Sequence, residues 1–168
     1  ELKITNIEYM QADILNLGKL EKQFDIIESF GVLHHMADPI AGWRVLTKCL
    51  KKGGLMRIGL YSELARSAIV KVRKEIAESG IGSSNRAMKS FRKNMIKSEK
   101  NYHKVELNSP DFYSMSTLRD LLFHTQEHRF TITQIKDSLD ELGLKFCGFE
   151  TRDIVREYMS LNTGADDP

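Results

Sequence analysis

An α/β fold built on a parallel crossover is what residues 24–66 predict, and three observations predict it. Phe24, Ile26 and Ile27 make a short apolar run of buried-strand type. A helical apolar period follows from Ile40 to Leu50, and a second short apolar run, Leu55 to Tyr61, follows that. Strand, helix and strand in this order imply a right-handed parallel connection.

Individual residues justify each element. Ser29 and Gly31 are turn formers and end the first strand. Asp38 followed by Pro39 reads as an N-cap and a first-turn proline, because proline lacks only an N–H that the helix would leave unpaired. Ile40, Trp43, Leu46 and Leu50 then define one apolar face. Lys48, Lys51 and Lys52 gather at the far end, where the helix dipole favours cations, and Gly53-Gly54 would end the helix. Upstream, Ile7 to Met10 reads as a short strand before Asp13. Downstream come a helix over 63–78, a flexible linker over 79–85, a basic helix from Arg86 to about His103, a loop through Asn108 to Asp111, and a helix returning near Ser116. Thr131 or Thr133 caps a helix whose face is Ile135, Leu139 and Leu142 and whose C-cap is Gly143; Leu144 to Phe149 reads as a last strand. Residues 1–62 and 130–150 are thus expected to form the sheet-bearing core, 63–129 a helical insertion or lid, and 151–168 a short helix and tail.

Composition narrows the class. The 168 residues suit one domain, and 41% apolar with 29% charged residues is ordinary for a soluble protein. A net charge of +2 selects no partner. Cys49 and Cys147 lie far apart without ligand spacing, so both are expected as reduced, packed thiols. No apolar run approaches the length of a membrane span and no signal-peptide pattern is present; the cytoplasm is the expected compartment.

The segments FDIIES, VLHHMADP and KKGGLMRIGLYS, in this order, resemble the fourth strand, the following turn and the fifth strand of a class I S-adenosylmethionine-dependent methyltransferase. IEYMQADILNL resembles that family's third strand and acidic turn, while DFYSMSTLRDLLFHTQEHRFTITQI and LDELGLKFCGFE resemble a bacterial subgroup often joined to tetratricopeptide repeats. The resemblance implies a Rossmann-like sheet truncated at its N-terminus, with strands one and two and their glycine-rich cofactor loop missing. Because those strands sit between the third and the fourth in the family's order, the first strand would have an unpaired edge, which invites a second copy of the chain. Weak or absent cofactor binding by this stretch alone is the expectation.

The resemblance also assigns roles. Asp13 would accept from the adenine amine of S-adenosylmethionine while the Ile14 N–H serves a ring nitrogen; read without the family, Asp13 is an exposed turn or N-cap aspartate. Ser29, Phe30 and Gly31 would line the methionine side, with Gly31 permitting close approach. His34 or His35 would hold the acceptor or take its proton, one facing it and the other packing. Tyr61 would wall the acceptor site, and His124, Gln126 or His128 would touch substrate from a polar helix in the lid. The acceptor is expected to be a small molecule or a protein side chain.

Two other chemistries compete. His124-Thr-Gln-Glu-His128 matches H-x-x-E-H, in which two histidines on a helix bind zinc and Glu127 activates water, the pattern of a zinc hydrolase. The helix is expected to stop near Arg129, and only Asp137, Asp140, Glu141, Glu150, Asp153 and Glu157 remain nearby as a third ligand, so no metal is expected. The basic stretch 86–104, with Arg86, Lys89, Arg92, Lys93, Lys97, Lys100 and Lys104, would serve an RNA-binding module or RNA methyltransferase. Met88, Phe91 and Met95 seat it on the domain, and a charge run opposite such a face is ordinarily a solvated one, so nucleic acid is not the expected partner.

Overall fold

The structure, a computed structural model, describes residues 5–150 together with 156, 157 and 160. The crossover is present: β1 (Phe24–Ser29), α1 (Pro39–Lys48) and β2 (Leu50–Ile58) form a two-stranded parallel sheet with Ile26 beside Leu55 and Ser29 beside Ile58. Asp38 caps α1 by accepting from the Ala41 N–H at 2.9 Å, with Pro39 in the first turn. The two glycines play a different part from the expected helix stop. α1 already ends at Lys48, and Gly53-Gly54 fall in a bulge where Phe24 pairs with Leu50 but Ile26 with Leu55. Gly53 takes φ +80, and a Cβ on Gly54 would lie 2.8 Å from the Asp25 carbonyl oxygen. Only glycine lets β2 bend this close to β1.

Two apolar cores form. In the first, Leu33, Trp43 and Leu46 pack against Ile27, Met56 and Ile58 of the sheet and Leu139 and Leu142 of the last helix, α6 (Ile132–Leu142). Of the two caps expected, Thr131 is the one used, joined with Gln134 in a capping box, and Gly143 closes α6 at φ +67 as expected. The second core lies among α2 (Ser67–Glu78), α3 (Asn85–Ile96), α4 (Asn101–Glu106) and α5 (Met115–Phe123). Val72, Ile76, Phe91, Met95, Phe112 and Leu118 are buried there.

Several expectations are corrected. Residues 5–13 form no strand, and Ile7, Tyr9 and Met10 are exposed; among the described residues β1 pairs only with β2, and none gives that run a ladder partner. Nor do residues 144–149 form a strand, and Cys147 is exposed, whereas Cys49 is buried as expected. The outer sheet face is open as well: Phe24, Ile26 (64% exposed) and Leu55 (59%) show that β1 is buried on one face only. The basic stretch breaks at residues 97–100 into α3 and α4. The C-terminal helix and tail expected over 151–168 lie outside the described residues, apart from helical positions 156, 157 and 160.

Candidate functional site

At the carboxyl end of β1 the chain passes through Ser29, Phe30 and Gly31. Ser29 is buried with its hydroxyl unpartnered, while Phe30 is half exposed under the Arg57 guanidinium, 4.6 Å from the ring centre. A Cβ on Gly59 would meet the Phe30 ring at 2.6 Å, so glycine there admits the aromatic. Gly31 adopts φ +68 with open space where a side chain would stand. Asp13 caps the 3-10 turn Ile14–Leu20, one carboxylate oxygen accepting from the Leu15 N–H at 2.9 Å, and Ile14 packs on the Trp43 core. The N-cap alternative for Asp13 therefore holds in this structure.

The two histidines sit on a 3-10 turn, Leu33–His35, and point different ways. His34 is 2% exposed and stacks on Tyr61 at 3.9 Å between ring centres. Its Nδ1–H faces the Gly59 carbonyl at 3.4 Å, which leaves Nε2 a bare, buried lone pair. Burial, then the neighbouring His35, hold the His34 pKa below the usual imidazole range. Burial likewise pushes the Tyr61 phenol up. His35 donates from Nδ1 to the Gln126 carbonyl at 2.9 Å, stacks on His124 at 3.9 Å, and turns Nε2 toward Asp120, 3.9 Å away.

What brings these groups together is an extended strap from His124 to Phe130. α5 stops at Phe123, and His124 is already extended, with ψ 137. The helical setting that the zinc-hydrolase pattern requires is absent, and so is the polar lid helix expected at this place. The strap instead runs along the turn and the end of β2. The His128 N–H donates to the His34 carbonyl at 2.7 Å and the Phe130 N–H to the Tyr61 carbonyl at 2.8 Å. Gln126 donates from Nε2 to the Met36 carbonyl at 3.1 Å and lies 3.2 Å from His128 Nε2.

Glu127, the expected water-activating residue in that pattern, points the other way. Its side chain is 1% exposed and locked by Arg66 (2.5 and 3.3 Å), Arg73 (3.0 Å) and Arg129 (3.7 Å). Burial opposes its ionisation, but the arginines, Arg66 first, outweigh that and hold the carboxyl below the usual glutamate range. Arg66 also lies 3.7 Å over the Tyr61 ring, on which His34 stacks as well, and Arg73 donates to the His124 carbonyl. Sequence reasoning missed Arg66 and Arg73, because their partner Glu127 lies far along the chain, and Asp120, because its neighbour His35 does too.

In the basic stretch, Lys100 pairs with Glu75 at 2.9 Å, Lys104 with Glu99 at 2.5 Å, and Arg92 donates to the Tyr113 carbonyl at 2.8 Å. Met88, Phe91 and Met95 are buried, as their spacing predicts.

A parallel β-α-β unit with polar residues at its strand ends defines an α/β protein whose chemistry belongs at the carboxyl edge of the sheet. Residues 1–58 match the family model described as methyltransferase domain, whose members generally use S-adenosylmethionine. An uncharacterized protein of Synechococcus sp. is 25% identical over 162 residues, which is 88% of this chain and 37% of that relative. The chain thus spans little more than a third of the length of the relative it matches.

Proposed function

We propose that this domain transfers a methyl group from S-adenosylmethionine to a small-molecule or protein acceptor, with the acceptor held between the Leu33–His35 turn and the strap. The match of residues 1–58 to a methyltransferase domain carries this reading. The residues at the strand end fit the cofactor's methionine side: the Ser29 hydroxyl is buried without a partner, and Gly31 leaves open space beside its backbone. One Asp13 oxygen is engaged in capping, and the other would accept from the adenine amine beside the Ile14 N–H. When bound, the cofactor supplies an electrophilic methyl on a sulfonium.

The chain's own residues would align the acceptor for in-line displacement, which needs position more than strong acid or base. His35 suits the acceptor-facing role. The Gln126 carbonyl fixes its Nδ1–H, so Nε2 is free to accept an acceptor proton, and its side chain retains 16% exposure. His34, buried and neutral, packs behind it against Tyr61. His124 and His128 would touch the acceptor from the strap.

Calorimetry on residues 1–168 is expected to show S-adenosylmethionine affinity no better than about 1 mM, near −4 kcal/mol. Micromolar affinity would overturn that part of the reading. The activity is tested by following a tritiated methyl group from S-adenosylmethionine into cell-extract acceptors with the full-length gene product. Label that neither requires the protein nor falls in His35→Ala would refute the assignment. The open edge of β1, with Ile26 and Leu55 bare beside it, fits a second copy of the chain as partner.

A further inference from the structure

Three side chains from three separate segments meet at the edge of the site: His35 on the turn after β1, Asp120 on α5, and His124 at the start of the strap. One ligand-type atom from each lies within 4.8 Å of the others. We propose that they bind a divalent transition-metal ion, of which zinc is the representative, and so extend the site beyond the residues of the methyl-transfer reading. The inference stands on this geometry and not on methyl transfer.

The donor set suits the ion. Two imidazoles and one carboxylate are ligands that zinc and its neighbours accept, and three protein ligands leave a coordination position open to water or substrate. Calcium and magnesium prefer all-oxygen sites. His35 is already arranged as a ligand, since its Nδ1–H is held by the Gln126 carbonyl and Nε2 faces Asp120. A backbone carbonyl on the far ring nitrogen is the usual outer support of a metal-bound histidine, fixing the tautomer and the ring plane.

His124 gives up more. Its Nδ1 accepts from the Gln126 N–H at 3.2 Å, and the ring must release or turn from that long hydrogen bond to ligate. Metal–ligand bonds of about 2.0–2.2 Å require the three atoms to draw in by roughly an ångström. Asp120 can supply much of that movement, because its side chain is 55% exposed and free to change rotamer; it also leaves the ion a path in from solvent.

This site differs from the H-x-x-E-H pattern in its ligands. It uses His124 but neither His128, whose Nε2 faces Gln126, nor Glu127, which the arginines hold. The ion would occupy the His35 Nε2 lone pair, so an acceptor at the loaded site would meet the ion's open position and not a free base.

The test is metal binding by the chain itself, without cofactor or acceptor, in a Cys147→Ser background that removes the exposed thiol. Chelator-treated protein is titrated with zinc in a calorimeter, and metal retained after gel filtration is measured by mass spectrometry. One zinc per chain is expected, with Asp120→Asn and His124→Ala each weakening affinity by about tenfold or more, and His128→Ala leaving it unchanged. Asp120→Asn alters an exposed side chain and keeps the fold, which circular dichroism verifies. Substoichiometric zinc, or affinity indifferent to both Asp120→Asn and His124→Ala, would overturn the proposal. A loss in His128→Ala equal to that in His124→Ala would overturn it too, since the ion would then sit on the other pair.

Discussion

Replacing Glu127 by alanine is expected to cost stability far more than any other single change in the strap. The carboxylate is 1% exposed and meets Arg66, Arg73 and Arg129, of which Arg66 and Arg73 are themselves only 13% and 18% exposed. Removing it strands Arg66 and Arg73 away from water, while Arg129 keeps its pair with Glu63 at 3.1 Å, and breaking a buried ion pair from one side costs about 3–5 kcal/mol. Glu106 also lies within electrostatic reach of Arg66, but burial already pushes its carboxyl up, so it is a poor replacement. In a chain of this size about 1 kcal/mol moves Tm by roughly 2–4 °C, so the expected drop is roughly 6–20 °C. The sign with pH follows from the depressed carboxyl. Its contribution is fully present above the ordinary glutamate range and is lost as pH falls through the lower folded-state value. Differential scanning calorimetry from pH 7 down to pH 3 would show the wild-type advantage over Glu127→Gln closing toward the acid end. Arg73→Met in the Glu127→Ala background should recover part of the loss, because no cation is then stranded at that position. A Tm for Glu127→Ala within about 1 °C of wild type would refute the reasoning and return Glu127 to the role of a reactive group.

His34, held neutral by burial, contributes stability that is complete above the unfolded imidazole value of about 6.5 and is lost as pH falls through its lower folded value; His34→Phe should flatten Tm between pH 7.5 and 5.5. Gly54→Ala should destabilise by about 1–3 kcal/mol in urea melts, because its Cβ meets backbone oxygens of Asp25 and Lys51 at 2.8 and 3.0 Å. Gly59→Ala meets only the half-exposed Phe30 ring, which can swing away, so it should cost less stability while disturbing the cofactor wall. Sedimentation at rising concentration should reveal self-association of residues 1–168 that Ile26→Lys abolishes; a monomer at all concentrations would remove the edge-pairing idea.

The crossover was legible in the sequence because its signals are local. Asp38-Pro39, the Ile40 to Leu46 period, and Thr131 and Gly143 at the ends of α6 each act within a few residues, and each forms as read. The strands expected at 7–10 and 144–149 had the right composition but depend on a neighbour to complete a ladder, and no run of side chains encodes the presence of that neighbour. Gly53-Gly54 misled for a related reason. A glycine pair suits a helix stop or a bulge equally, and only the approach of Asp25 across the sheet decides between them. At the site, the Ser29 to His35 segment announces itself by position after a strand. The Glu127 cluster does not, since Arg66 and Arg73 lie 61 and 54 residues away.

That long-range cluster explains how two cores become one site. The sheet core ends at the turn bearing His34 and His35, and the helical core carries Asp120 on α5. The strap is stitched to the first by the His34, Met36 and Tyr61 carbonyls and tied by Glu127 to Arg66 and Arg73, at and just beyond the start of α2. Arg66 in turn lies over Tyr61, on which His34 stacks. A shift of α2 must therefore be felt by Tyr61, and a shift of the strap by both histidines. Charge burial at Glu127 thus helps hold the strap that carries His124 and the Gln126 carbonyl on which His35 rests, so Glu127→Gln should weaken zinc binding without removing any ligand. Zinc affinity unchanged in a folded Glu127→Gln variant would show that the strap is held by its backbone hydrogen bonds alone.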